Sequence, residues 1–319
     1  MSPEHFARTF DRIKQEMARV VVGQDELVDG VLVALLAKGH ALIVGAPGLG
    51  KTLVARSLAV VSGCTFKRIQ FTPDLMPSDV TGSSVFDRQT SAFSFIAGPI
   101  FCQLLLADEI NRAPAKTQSA LLEAMQDRQV TVDGTSRALP HPFSVIATQN
   151  PVESQGTYPL PEAQLDRFLV KLLVLDPPRE VEQTIVRHHA DGFDPTDLSS
   201  LHAVVAPVVI AEMQATAQTV RADDTIVSYV VDLVRRTRDD RAIELGASPR
   251  ASIALLKSAQ VIAASQGRSF VTPDDVKPMT LAVLRHRIML HPDAQLQGVT
   301  PDDRIAEILR TAPVPRVAA

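Results

Sequence analysis

Eight residues, Gly45-Ala46-Pro47-Gly48-Leu49-Gly50-Lys51-Thr52, constrain this chain more than any others. They match the spacing G-x-x-x-x-G-K-[ST] and directly follow the apolar run Ala41-Leu42-Ile43-Val44. The glycines let the backbone turn tightly enough for successive N–H groups to face one anion, and a helix beginning near Lys51 adds the positive end of its dipole. Lys51 then reaches the outer phosphates of a nucleoside triphosphate and the Thr52 hydroxyl ligates magnesium, with Leu53 in the same helical turn at the edge of the site. A glycine-rich strand-to-helix turn that binds nothing is the alternative, and the flanking strand weighs against it.

The 319 residues leave room for a nucleotide-binding domain and a smaller second one. Hydrophobic residues make up 45% and charged residues 21%, which suits a globular chain and excludes a disordered one. Lys and Arg number 32 against 36 Asp and Glu, a net charge of −4, so bulk electrostatics do not favour coating nucleic acid or an anionic membrane. No apolar run approaches the ~18 residues that span a bilayer, and the start Met1-Ser2-Pro3-Glu4-His5 lacks a secretory pattern; a cytoplasmic location with no membrane insertion is expected. Cys64 and Cys102 are too few for a disulfide framework and are expected to be buried fillers.

From Val31 to Leu175 short aliphatic runs alternate with helical stretches, the pattern of an α/β fold with a mostly parallel five-stranded sheet covered by helices. The expected strands are Ala41–Val44, Lys67–Phe71, Gln103–Ala107, Phe143–Thr148 and Phe168–Leu175. In such a sheet ligands sit beyond the carboxyl ends of the strands. Two segments read as inserted hairpins, Gln129–Leu139 around the turn dipeptide Asp133-Gly134, and Val85–Phe95; surface decoration is the plainer reading of both. Asp176-Pro177-Pro178 breaks the chain, giving domains 1–178 and 179–319, the second a small lid read as all helix.

The run Leu104–Ala107 ends in Asp108-Glu109. Two adjacent carboxylates point in different directions, which allows Asp108 to support the magnesium shell while Glu109 deprotonates the attacking water; alone, the pair would read as a solvated turn. After the next strand, Asn150 can hold that water or the terminal phosphate, or merely initiate a turn before Pro151. Arg167 ends a short helix beginning at Pro161, where it either complements the dipole or acts as a finger on a neighbouring subunit's nucleotide. Arg250 follows the cap Ser248-Pro249, in a first turn that disfavours positive charge unless an anion is near, and reads as an arm from the second domain onto the phosphates; a solvated arginine is the alternative. His188-His189 has no partners at metal spacing and receives no ligand role.

With these motifs in this order the chain resembles the AAA+ ATPases. Asp108-Glu109-Ile110-Asn111-Arg112-Ala113-Pro114, Glu162-Ala163-Gln164-Leu165-Asp166-Arg167-Phe168 and Gly246-Ala247-Ser248-Pro249-Arg250 resemble one branch, the MoxR family, over about Val20 to Arg250. The resemblance implies an ATP- and magnesium-dependent, chaperone-like motor forming a usually hexameric ring that remodels or matures partner proteins, often with von Willebrand factor A domain partners. It also implies roles: Val22-Gly23-Gln24 on the adenine and ribose side, Asn150 as sensor 1, Arg167 as arginine finger, Arg250 as sensor 2, and both hairpins facing the ring pore. Two other functions fit the same engine, a nucleic-acid translocase and a metal-chelatase-type subunit. The acidic balance argues against the first, and only a partner's identity separates the second.

Overall fold

A computed structural model of the chain describes residues 1–89, 91–151 and 157–315, so Thr90, within the segment Val85–Phe95 read as a hairpin, lies outside the described residues. Helix α1 (Pro3–Ala18) starts at Ser2, whose hydroxyl accepts from the His5 N–H, with proline in its first turn. Phe6, Phe10, Ile13 and Met17 recur along one side of it and are buried; each such burial stabilises by roughly 1.5–3 kcal/mol. Helix α2 (Asp25–Leu36) is buried continuously from Val31 to Leu36.

The chain continues through β1 (Ala41–Gly45), α3 (Lys51–Ser62), β2 (Phe66–Gln70), α4 (Pro77–Thr81), β3 (Gly82–Asp87), β4 (Ala92–Ala97) and β5 (Leu104–Asp108). Then come α5 (Ala115–Asp127), β6 (Gln129–Val132), β7 (Thr135–Ala138), β8 (Ser144–Gln149), α6 (Glu162–Leu165) and β9 (Val170–Val174). Five strands form one sheet in the order β2-β5-β8-β1-β9, and every pairing in it is parallel. The expected strands are these five, with ends moved by one or two residues. Strand β5 is buried along its whole length. Its Leu104 and Leu106 face the core shared with the first three helices, while Leu105 and Ala107 face a second core that includes Leu121 and Met125 of α5.

Both expected hairpins form outside this sheet: β3 pairs antiparallel with β4, and β6 with β7. Between Val132 and Thr135 the turn residues Asp133 and Gly134 take φ of 52° and 75°, the positive pair that a two-residue hairpin turn needs.

Beyond Pro178 the chain is helical: α7 (Arg179–Ala190), α8 (Pro207–Thr219), α9 (Asp224–Asp239), α10 (Pro249–Ser265), α11 (Pro273–Leu284), α12 (Pro292–Leu296) and α13 (Pro301–Thr311). One correction applies, because β10 (Ile243–Leu245) pairs antiparallel with β11 (Met289–Leu290) inside the segment read as all helix. Runs of three and two residues carry no period that a sequence pattern can register. Helix α10 packs on α1, α2, α8, α9 and α11, joining the lid to the sheet domain. Both cysteines are buried and free, and burial pushes the Cys102 thiol up to about 12. No helix among the described residues is long and apolar enough to cross a membrane.

Candidate active site

At the carboxyl ends of β1, β5 and β8 lies a cleft of about 470 Å³, a volume within the range of small-molecule sites. Its floor is the loop from β1 to α3. Gly50 sits at φ 72° and so reaches a left-handed backbone that a side chain would strain, which is what allows the loop to turn back on the helix start. Pro47, Gly48, Leu49, Gly50, Lys51, Thr52 and Leu53 all line the cleft. Gly45 and Ala46 do not line it, but their carbonyls accept from Lys51 Nζ at 2.5 and 2.7 Å and so aim that cation. Burial lowers the Lys51 pKa, opposed by the charges of Asp108 and Glu109.

Asp108 and Glu109 face the cleft from the end of β5. Glu109 has φ 55°, and this left-handed step, unfavourable by about 1–2 kcal/mol for a residue with a side chain, turns its carboxylate away from that of its neighbour. Buried Thr148 on β8 organises both: its hydroxyl donates to Asp108 Oδ1 at 2.5 Å and accepts from the Glu109 N–H at 2.9 Å. Arg68 on β2 grips Asp108 Oδ2 through Nε at 3.0 Å and Nη2 at 2.7 Å. Gln70, at the end of the same strand, donates to Glu109 Oε2 at 2.8 Å, and Arg112 reaches that oxygen at 3.0 Å. Glu109 is thus held between two donors. Asn150, buried at the end of β8, lines the cleft beside it.

The other end of the cleft is mostly apolar. Val20, Val21, Val22 and Gln24 line it before the loop, and Pro177, Ile185, Phe193 and Pro195 after β9. Gln24 donates to the Leu49 carbonyl at 2.8 Å, fastening the entering segment to the loop. Gly23 is not among the lining residues; its backbone packs against Val181 of α7. His188 and His189, set aside in the sequence because no metal partners stood near them, line this end too. Nothing in their spacing signals it, since only the fold brings α7 across to Val20–Gln24.

Two expected residues are elsewhere. Arg167 and Arg250 line a separate pocket with Lys38, Arg128, Asp166, Lys257 and Arg287, so Arg250, expected to touch the nucleotide phosphates, does not line the cleft that holds Lys51 and Glu109 of its own chain. Its Nη1 lies 3.4 Å from Asp166 Oδ2 instead. The helix start that carries Arg250 faces the segment before β9 and not the loop before α3, a relation between domains that no local motif encodes.

Among the described residues no cluster of three His, Cys, Asp or Glu could hold a metal alone. The Thr52 hydroxyl and the Asp108 carboxylate share the cleft, and that pair suits magnesium, which takes its other ligands from phosphates and water.

Residues 40–170 match the model of the ATPase family associated with various cellular activities, and 235–308 match an AAA lid domain. A Bacillus subtilis protein named YeaC and uncharacterised is 47% identical, covering 94% of this chain and 93% of its own. Chaperone MoxR1 of Mycobacterium tuberculosis is 42% identical, covering 98% and 84%. A crystal structure from Cytophaga hutchinsonii, described as that of a candidate ATPase, superposes with a TM-score of 0.90 at 36% identity over 98% of this chain and 97% of that one.

Proposed function

Because the chain belongs to the MoxR family of AAA+ ATPases, and is therefore an ATPase, we propose that it is a ring-forming motor whose cleft is completed by the adjacent copy. Lys51 and the loop N–H groups grip the β- and γ-phosphates of ATP. Magnesium, held by Thr52 and Asp108, would neutralise charge on those phosphates. Glu109 accepts a proton from water as the water oxygen bonds to the γ-phosphorus and the bond to the β–γ bridging oxygen breaks, while Asn150 donates to the attacking water or the departing phosphoryl group. The observation that carries the composite site is the position of two cations. Arg167 and Arg250 share one pocket away from Lys51 and Glu109, and Arg56, which lines the cleft, is committed to the carbonyls of Pro195 and Thr196. Supplied by a neighbour, both arginines would meet the charge that develops on the terminal phosphate.

The relative named as a chaperone supports remodelling of partner proteins; the proposal extends to von Willebrand factor A domain proteins as one class of partner, to the cytoplasm as the location and to a hexamer as the assembly. The engine division follows the break at Pro177-Pro178, with 1–178 holding ATP and 179–319 as the lid.

The test is complementation between two inactive variants. Glu109→Gln should keep ATP binding and lose turnover by roughly a hundredfold or more, and Arg167→Ala should lose it by about 10³. Mixed, they should regain activity, because the Arg167→Ala cleft keeps its own Glu109 and receives Arg167 from its neighbour. An Arg167→Ala protein fully active alone would remove the composite site.

A further inference from the structure

Near its start α5 carries three polar side chains in succession, Thr117, Gln118 and Ser119. Successive residues of a helix point about 100° apart, so the three face three different neighbours. Thr117, 1% exposed, donates to the Leu75 carbonyl at 2.6 Å and pins the helix start to the segment that leaves β2. Gln118, fully buried, donates through Nε2 to two carbonyls, that of Ile110 at 3.1 Å and that of Tyr158 at 2.9 Å. Ser119 accepts from Gln164 Nε2 of α6 at 3.3 Å.

Ile110 follows Glu109 directly, whereas Tyr158 and Gln164 lie on the segment that ends in Arg167. The two segments also meet each other, the Tyr158 N–H donating to the Asn111 carbonyl at 2.6 Å. We propose that Gln118 and Ser119 are positioning residues that set the Glu109 loop and the Arg167 segment in one register, so that the base of one site and the cation offered to the next are placed together; this rests on the composite-site reading. Packing alone does not explain the amides. Among the described residues the side-chain oxygens of Gln118 and Gln164 are buried without a partner, which costs free energy that an apolar side chain of similar length would avoid. Their N–H groups are the part in use, and those of Gln118 join the segment bearing one reacting group to the segment bearing the other.

Mixtures that separate the two roles test this, with ATP hydrolysis read by phosphate release. The Glu109→Gln chain supplies only Arg167, and the Arg167→Ala chain supplies only a working cleft. Gln118→Met built into the first reports on the offered cation, and built into the second on the cleft. Either way the mixture should lose about tenfold in rate against the same mixture without it, the worth of one or two hydrogen bonds. Ser119→Ala, which cuts only the link to Gln164, should lower the rate about threefold when carried by the Glu109→Gln chain and leave it unchanged when carried by the other. ATP affinity, measured by calorimetry with magnesium, should stay within about twofold for both substitutions, which a chain that failed to fold could not show. A Gln118→Met loss confined to one of the two chains, or absent from both, overturns the junction, as does a Ser119→Ala loss felt only in the cleft chain. Should Gln118→Met not bind ATP, the Ser119→Ala pair decides. If Glu109→Gln and Arg167→Ala regain nothing on mixing, the composite site itself falls, and the junction with it.

Discussion

At the scale of single residues, Glu109 is the base in the proposed reaction, and Gln70 and Arg112 hold it. A hydrogen bond to a charged group contributes about 1.5–3 kcal/mol, so a carboxylate that must leave Gln70 to reach water works against a barrier of that size. Gln70→Ala should therefore raise basal ATP hydrolysis roughly tenfold in a phosphate-release assay. A fall would mean that Gln70 sets the working position of Glu109. Two buried histidines make the fold acid-sensitive. Burial drives the His40 pKa from 6.5 down to about 4, and its ring accepts from the Val145 N–H while facing the Met125 carbonyl, which fixes the neutral form. His286 is lowered well below 6.5, by burial first and then by Arg287. The unfolded chain takes up protons on both rings as pH falls through 6.5, and the folded chain does so at His40 only near 4. Stability is thus full above about 6.5 and drains away as pH falls toward 4. Urea midpoints for His40→Gln should be lower than the parent's at neutral pH and depend less on pH in that window.

At the scale of elements, the two hairpins are linked. The Arg137 guanidinium on β7 lies 4.0 Å from the centroid of the Phe95 ring on β4, and Phe95 packs edge-on against Phe101. Such a contact contributes about 1–2 kcal/mol when partly desolvated. Arg137→Ala should speed hydrogen exchange in β3 and β4 without altering ATP affinity; unchanged exchange would show that the hairpins hold their places independently. The second hairpin was legible in the sequence because Asp133-Gly134 has few other uses between alternating apolar residues. So were the five sheet strands, the three central ones, β5, β8 and β1, because buried parallel strands are plain aliphatic runs. The pair β10 and β11 was not, being too short for any period. Gln70 and Thr148 gave no signal either. They end or cross strands as ordinary polar residues, and only the order β2-β5-β8 brings them to the carboxylates of β5. The pocket in which Arg250 lies was not legible for a related reason: local capping says what a helix start prefers, and the packing of α10 against its neighbours decides which surface it faces.

At the scale of the whole molecule, one buried arginine joins lid to sheet. Arg287, its side chain 3% exposed, pairs with Asp166 at 2.6 Å and donates to the carbonyls of Phe168, Leu169 and Val283. His286 and Arg285 reach the Phe168 and Lys171 carbonyls beside it. This grip holds the segment bearing Arg167 against the end of α11. Removing one partner of a buried pair strands the other charge, and Arg287→Ala should cost roughly 3 kcal/mol in urea unfolding. ATP affinity of the isolated subunit should survive, since nothing in the cleft is touched; its loss would tie the lid to nucleotide binding within one chain.

The left-handed backbone at Glu109 has an outcome of its own. Glycine would sit there without strain, so the substitution that most relaxes the loop is also one that removes the base of the proposed reaction. Durability and turnover pull this position in opposite directions, and a lineage rewarded only for surviving heat would drift toward a hardy, idle protein.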